Sequence, residues 1–307
     1  ISIINNIKNY KKKDKILIIN TLTRDRERYE KFKYKNLNIQ TLTFHNFFEF
    51  IKLFYSNYHE LKKHNIVEFH CVYDFLGCFL SSLFLRLLNK RVVYNFFLRG
   101  MVNKKILHKK KILKKLYLFL LKIIIPKKNS ELVATSFYEK NLSNEIFKNK
   151  FKIRVEPNLV DNKIILSGNQ RIKKRKKQLN LFFMSNITWK KNFEFVYKIL
   201  KKLDFKITLN IYGSIYENNN KFQRMLKVLS NYHKINYLGE YKHSNLNKII
   251  KINHLMILPT FDENFGHTIV ECLLSYRPCL ISNNTPWNDI NFYNAGYSLP
   301  LEAIYTH

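Results

Sequence analysis

The feature that most constrains this chain is an alternation that starts at Lys15, in which short β-branched and aromatic runs take turns with longer helical patterns. That order is the signature of a parallel sheet covered by helices, because each strand must be followed by a crossover helix before the next can pair alongside it. In the first half the pattern predicts strands over 15–22, 39–44, 66–73, 91–98, 131–136 and 152–157. Helices are predicted over 47–63, 76–88, 105–125 and 138–147. The second half repeats the alternation more regularly, with strands predicted over 179–184, 207–212, 235–238, 255–259, 279–282 and 297–301. Its helices are predicted over 192–203, 221–232, 246–251 and 268–276. A chain of 307 residues with this pattern forms two α/β units rather than one. The expected boundary is the polar, basic stretch 161–178, which contains "RIKKRKK" and carries little apolar periodicity.

Composition narrows the class further. A hydrophobic content of 46% excludes disorder, and seven glycines with six prolines exclude collagen-like and low-complexity chains. The net charge of +32 raises anionic partners, namely phosphate-rich ligands, nucleic acid or acidic lipid. Joint abundance of Lys, Asn, Ile, Phe and Tyr is also what an AT-rich coding sequence yields with no functional cause. No zinc-finger, RNP-like or helix-turn-helix pattern accompanies the charge, so nucleic acid is not expected as a partner. Cys71, Cys78, Cys272 and Cys279 form no CxxC pair and lie in or beside apolar segments, as small core residues of a reduced, cytoplasmic protein do. The apolar runs fall short of the roughly 20 residues that a spanning helix needs. Ile1 opens without Met or a signal pattern and the last segment is strand-like, so both ends are expected to be truncated.

In a parallel sheet, ligands sit at the carboxyl ends of the strands, so the loops that follow them are the places to look. The most informative is in "LPTFDENFGHTIVECLLSYRPCLIS", where Glu263, Asn264, Phe265 and Gly266 stand directly before a helix. Gly266 allows close backbone approach, and free amides at a helix N-terminus receive phosphate or hydroxyl oxygens. Glu271 lies one turn inside, with its carboxylate able to lean back toward the same place. The spacing Thr268 to Glu271 is also that of a capping box, so the second carboxylate has a ligand reading and a local one. A second loop, in "LFFMSNITWKKNFEF", runs from a strand into Ser185 and Asn186 and then to Lys190 and Lys191 at the next helix start, where a Lys acts as a point charge against a diphosphate. There is no Asp-x-Asp metal motif.

On these segments, with "LNIYGS", "INYLGEY" and "NNTPW", the second half resembles the donor domain of the family 4 glycosyltransferases, the retaining GT-B group. "ENFGHTIVE" corresponds to that family's paired glutamates. The resemblance implies two Rossmann-like domains facing across a cleft, with an acceptor-side domain over 1–160 that lacks its first strand and Gly-rich loop. The donor domain then covers 179–307 and lacks its C-terminal helix. It implies Glu263 on the donor sugar, Glu271 on the ribose and Lys191 on the diphosphate, with Asn264, Phe265, Gly266, His267, Thr268, Ser185, Asn186 and Gly213 lining the donor. Asn186 stands where the family carries an Arg. In the first half, "NIVEFHCVYD", "NFFLRGMVNKK", "LVATSFYEKN" and "FKIRVEPNLVD" resemble the acceptor domain's strand ends, bringing in His70 and Arg99.

The activity implied is transfer of a sugar from a nucleoside diphosphate to an acceptor hydroxyl with retention, without a metal or other cofactor. The acceptor implied is a glycan or a lipid-linked acceptor, in surface polysaccharide or lipopolysaccharide synthesis. A sugar-nucleotide epimerase, which shares the architecture, is the first alternative, and a basic nucleic-acid-binding protein the second. Lys104 to Lys128 interleaves ten lysines with apolar residues and no acid, the pattern of a basic amphipathic helix able to lie on the anionic inner face of a membrane or to pack as a core helix with a solvated face.

Overall fold

The alternation is realised in the second half of the computed structural model, and strands of the expected parallel sheet in the first; the model describes residues 15–21, 28–34, 37–44, 47–70, 93–98, 119–120, 122–123, 129–158, 160 and 179–304. The chain divides into two compact units, Ile1–Leu159 and Val160–His307. The expected linker 161–178, Arg99, Cys71, Cys78, the helix expected over 76–88 and most of Lys104–Lys128 lie outside the described residues.

The first unit contains β1 (Lys15–Thr21), β2 (Arg28–Tyr34), β3 (Leu37–Phe44), α1 (Phe47–Ser56), α2 (Tyr58–Leu61), β4 (Ile66–Phe69), β5 (Val93–Phe97), β6 (Ser130–Ala134), α3 (Phe137–Phe147) and β7 (Lys152–Val155). Its sheet runs in the order β2-β3-β1-β4-β5-β6-β7. All pairings are parallel except β2 with β3, an antiparallel pair with Arg28 opposite Thr43. Strand β2 was not expected. Its sequence RYEKFKY mixes four charges with aromatics, which hides the strand signal and is the composition of a blunted sheet edge. The helix expected over 47–63 is broken at Asn57, whose side-chain amide donates to Leu53 O at 2.9 Å and competes with the backbone for that carbonyl. Helix α3 starts as its sequence dictates. Ser136 caps the Glu139 amide at 3.1 Å, and the Glu139 carboxylate accepts from the Thr135 amide at 2.7 Å, so a first-turn donor and the amide just before the cap are both satisfied.

The second unit contains β8 (Leu179–Met184), α4 (Phe193–Leu200), β9 (Ile207–Tyr212), α5 (Asn219–Leu229), β10 (Lys234–Gly239), α6 (Leu246–Ile252), β11 (Leu255–Leu258), α7 (His267–Leu274), β12 (Cys279–Ser282) and β13 (Gly296–Leu299). Its sheet is parallel throughout, in the order β10-β9-β8-β11-β12-β13. Consecutive residues Phe182, Phe183 and Met184 are all fully buried, so both faces of β8 are covered by the core. Phe183 meets Phe193 of α4 edge-on with ring centroids 5.3 Å apart, and Phe193 meets Phe222 of α5 at 4.9 Å. Truncating Phe183 to Ala removes this packing at a cost of about 3–5 kcal/mol. Cys272 and Cys279 are buried free thiols within the same core.

From β8 the chain steps outward through β9 to β10, then returns past β8 to β11 and steps the other way to β13. The connections therefore diverge between β8 and β11, and the loops leaving their carboxyl ends border the crevice where doubly wound sheets bind ligands. Among the described residues, no helix is long and apolar enough to cross a membrane.

Candidate functional site

The loops that leave β8 and β11 are tied together by two adjacent ion pairs. Lys190 Nζ lies 2.7 Å from Asp262 Oδ2, and Lys191 Nζ contacts Glu263 Oε2. Backbone bonds reinforce the join: the Phe261 amide donates to Lys190 O at 2.8 Å, and Thr260 Oγ1 donates to the same carbonyl at 3.0 Å. Both lysines are placed by a single 3-10 turn, Trp189–Lys191, which precedes α4 instead of forming its first turn. The turn is anchored at its start, where the Trp189 amide donates to Glu217 Oε2 at 2.8 Å. Asp262 is almost fully buried, whereas Glu263 and both lysines keep partial access to solvent.

Gly266 ends the β11 loop with φ +74° and caps α7. A Cβ there would lie 2.9 Å from Ile269 Cδ1 and 3.1 Å from Glu263 Cγ, so the missing side chain is what lets Glu263 fold against the helix start. The loop is held from behind by Trp287, whose indole N–H donates to Phe265 O and whose ring meets Phe265 edge-on at 5.8 Å. Phe265 is buried, His267 exposed and Thr268 half-buried, while Asn264 stays at intermediate depth. The first-turn amides of α7 receive no side-chain cap.

The local reading of Glu271 as half of a capping box does not hold. Helix α7 is capped by Gly266, and Thr268 lies within the first turn rather than before it. Glu271 is buried, and its Oε1 lies 3.1 Å from His243 Nε2, in the loop after β10. Burial pushes its carboxyl above the usual range, and the His243 contact opposes that shift. Beside it, burial and the nearby Glu271 charge push the Tyr241 phenol up as well. His243, Tyr241 and Asp262 were not singled out from sequence, and of the two lysines named there only Lys191 was assigned to the diphosphate. The doublet of lysines facing a doublet of acids was a legible signal for Lys190 and Asp262, whereas nothing local points His243 at a residue 28 positions away.

Gly213 follows β9 with φ +136°, and a Cβ at that position would fall 2.1 Å from Ser185 O. The β8 and β9 ends are therefore in backbone contact, continued by the Gly213 amide donating to Gly239 O at 2.7 Å. Ser185 donates its amide to Tyr212 O at 2.9 Å, and the exposed Asn186 accepts from the Ser214 amide at 3.4 Å. Glycine at 213 is what allows this close approach of the two strand ends, and the Tyr237 hydroxyl donates to the Gly213 carbonyl at 3.0 Å.

In the first unit, His70 directly follows β4 and is buried. Its Nε2 lies 3.0 Å from Glu68 Oε2, and its ring stacks on Phe97 with centroids 4.1 Å apart. Farther along the sheet, Arg154 contacts Glu131 and Glu156. Burial raises the Glu156 carboxyl, and Arg154 offsets part of that rise.

Solved structures share this architecture at low identity. Sucrose-phosphate synthase from Thermosynechococcus elongatus superposes with a TM-score of 0.68 at 12% identity, covering 94% of this chain and 77% of that one. HepE from Anabaena in complex with UDP gives 0.64 at 12% identity, over 95% of this chain and 89% of that one. The E. coli trehalose-6-phosphate structure bound with UDP-2-fluoro glucose gives 0.62 at 10% identity, over 92% and 88%. No curated protein matches the sequence significantly. Residues 168–293 match the model of the family described as glycosyl transferases group 1, and the matched segment includes both ion pairs, Gly266 and Glu271. The chain thus has the two-unit α/β fold of these structures, and residues 168–293 of its second unit match the glycosyl transferases group 1 model.

Proposed function

We propose that the second unit binds a nucleoside-diphosphate sugar at the carboxyl ends of β8, β9 and β11, and that the protein transfers the sugar to an acceptor hydroxyl with retention at the anomeric carbon, in the manner of family 4. The observation that carries this reading is the Lys191–Glu263 contact across the point where the sheet connections diverge. A cation and a carboxylate paired there suit the two ends of the scissile bond. As the sugar–phosphate bond breaks, negative charge grows on the diphosphate, and Lys191 with the first-turn amides of α7 stabilises it. Glu263, relieved of its partner, accepts hydrogen bonds from the sugar hydroxyls and orients the ring. Glu271 takes the ribose, and the backbone at Ser185, Asn186 and Gly213 lets the diphosphate approach closely. HepE in complex with UDP, at 12% identity, supports a uridine nucleotide among the donors to be tried.

In this reading the departing charge is met by Lys191 and backbone amides, so transfer proceeds without a metal ion. On the first unit, His70 and Arg99 are the residues proposed for the acceptor. The acceptor is a glycan or lipid-linked glycan of surface polysaccharide or lipopolysaccharide synthesis, which the basic stretch Lys104–Lys128 brings to the anionic inner face of a membrane.

The test is a thermal-shift screen against UDP-, GDP- and ADP-linked sugars, repeated with Glu271→Ala, followed by NMR of the product's anomeric centre and a repeat in EDTA. A true donor at a hundredfold excess over its Kd stabilises the parent by about 2.7 kcal/mol and the variant by less. An equal response in the variant overturns the ribose assignment. Isomerisation of the free donor with no transfer would make the protein an epimerase instead.

A further inference from the structure

We propose that His243 is a positioning residue for Glu271, clamping one carboxylate oxygen so that the other faces the ribose of a bound nucleotide. The inference rests on the donor-site reading above and deepens it. His243 sits in a 3-10 turn, His243–Asn245, immediately before α6, in a loop that leaves the carboxyl end of β10. Its Nε2 lies 3.1 Å from Glu271 Oε1, and among the described residues no hydrogen bond reaches Glu271 Oε2. The Glu271 side chain is 7% exposed, whereas that of His243 is 58% exposed. A buried carboxylate in this position needs at least one donor to stay ionised and one rotamer to be useful, and His243 supplies both.

The surroundings make the role specific. Among the described residues, the other titratable groups about the carboxylate are the buried Tyr241 phenol, from the same β10 loop, and Cys272, the next residue on α7. Both are neutral at physiological pH and neither has a hydrogen bond to Glu271. An imidazole tethered by a turn fixes the carboxylate from a different loop, so α7 and the β10 loop are held at one separation. A ribose hydroxyl then meets a preoriented acceptor rather than a side chain free to turn.

The experiment compares the parent with His243→Ala, His243→Gln, Glu271→Gln and the His243→Ala/Glu271→Gln double variant. Carbon-13 NMR of the Glu271 carboxyl needs no ligand. The inference requires that it titrate higher in His243→Ala than in the parent and return toward the parent in His243→Gln, whose amide can donate from a similar place. Calorimetry with UDP, GDP and ADP in turn, and with inorganic pyrophosphate, supplies the second readout. His243→Ala should weaken the preferred nucleotide about tenfold, leave pyrophosphate unchanged, and add nothing in the Glu271→Gln background. An unmoved carboxyl titration, or losses that multiply fully in the double variant, overturns the proposal. A shifted titration in a protein that binds none of the three nucleotides retains the clamp and removes the donor-site reading.

Discussion

Asp262 and Lys190 are joined at 2.7 Å by a contact in which the acid is 2% exposed and the lysine side chain keeps 23% of its surface in water. The pair lies one residue before Lys191–Glu263 in both loops, so it fixes the register in which the second pair can form. Its asymmetry sets the sign of a test. Lys190→Ala deprives a buried carboxylate of its cation, at a cost of about 1–3 kcal/mol, whereas Asp262→Ala leaves a lysine that can turn to solvent and costs less. Urea denaturation of both variants and of the double variant checks the order, with the double expected to be more stable than Lys190→Ala alone.

Lys191→Ala is expected to lower kcat/KM for sugar transfer by about 10²–10³, the range for losing one preorganised stabiliser of a developing anion. Lys191→Arg should restore part of the loss, because it keeps the charge but changes the donor geometry. Steady-state kinetics with the donor found by the screen measures both. An unchanged rate in Lys191→Ala would remove this residue from the diphosphate.

Gly213→Ala would put a methyl group 2.1 Å from Ser185 O at a φ of +136°, against the Ser185–Asn186 backbone, which cannot move aside as a side chain could. The expected loss is about 2 kcal/mol or more, which for a unit of this size lowers the melting temperature by about 4 °C or more. Calorimetry of the variant checks it. The same substitution at Gly239, where nothing lies within 4 Å of the added Cβ, meets only the φ of +67° and should cost less.

Glu271→Gln tests the raised carboxyl. A folded-state pKa above the unfolded value of 4.5 means that the unfolded chain releases its proton first, so the parent loses stability as pH rises from about that value through the folded pKa. The Gln variant does not ionise and escapes the loss. It should therefore gain on the parent as pH rises through this window and approach it again below it, while binding nucleotide more weakly at every pH. Denaturation midpoints across the range report the first effect and calorimetry the second.

The central strands of the second unit are legible in the amino-acid sequence alone, and the expected ranges 179–184, 207–212 and 279–282 match β8, β9 and β12 to the residue. These strands are covered on both faces, so they read as short, mostly apolar segments, such as Leu181–Met184 and Cys279–Ile281, whose length rather than period marks them as strands. Strand β2 is illegible for the converse reason. It pairs on one side only, and four charges in seven residues leave no apolar period to detect. Among the candidate site residues, Gly266 and Gly213 are readable because each stands in a turn that follows a strand, and the φ values of +74° and +136° supply the reason for glycine.

Sequence by itself determined the class of fold, the order of the strand-end loops and the residue types that arm them, because those depend on short-range periodicity and on chemistry carried by single side chains. Tertiary structure alone decided the partners. Whether Glu271 answered to Thr268 or to His243, and whether Lys190 and Lys191 faced water or the acids of the β11 loop, depended on residues brought together across 28 and about 72 positions of chain. No local propensity encodes such a meeting. It follows from burial of the sheet core between α4, α5 and α7, which sets where each loop ends.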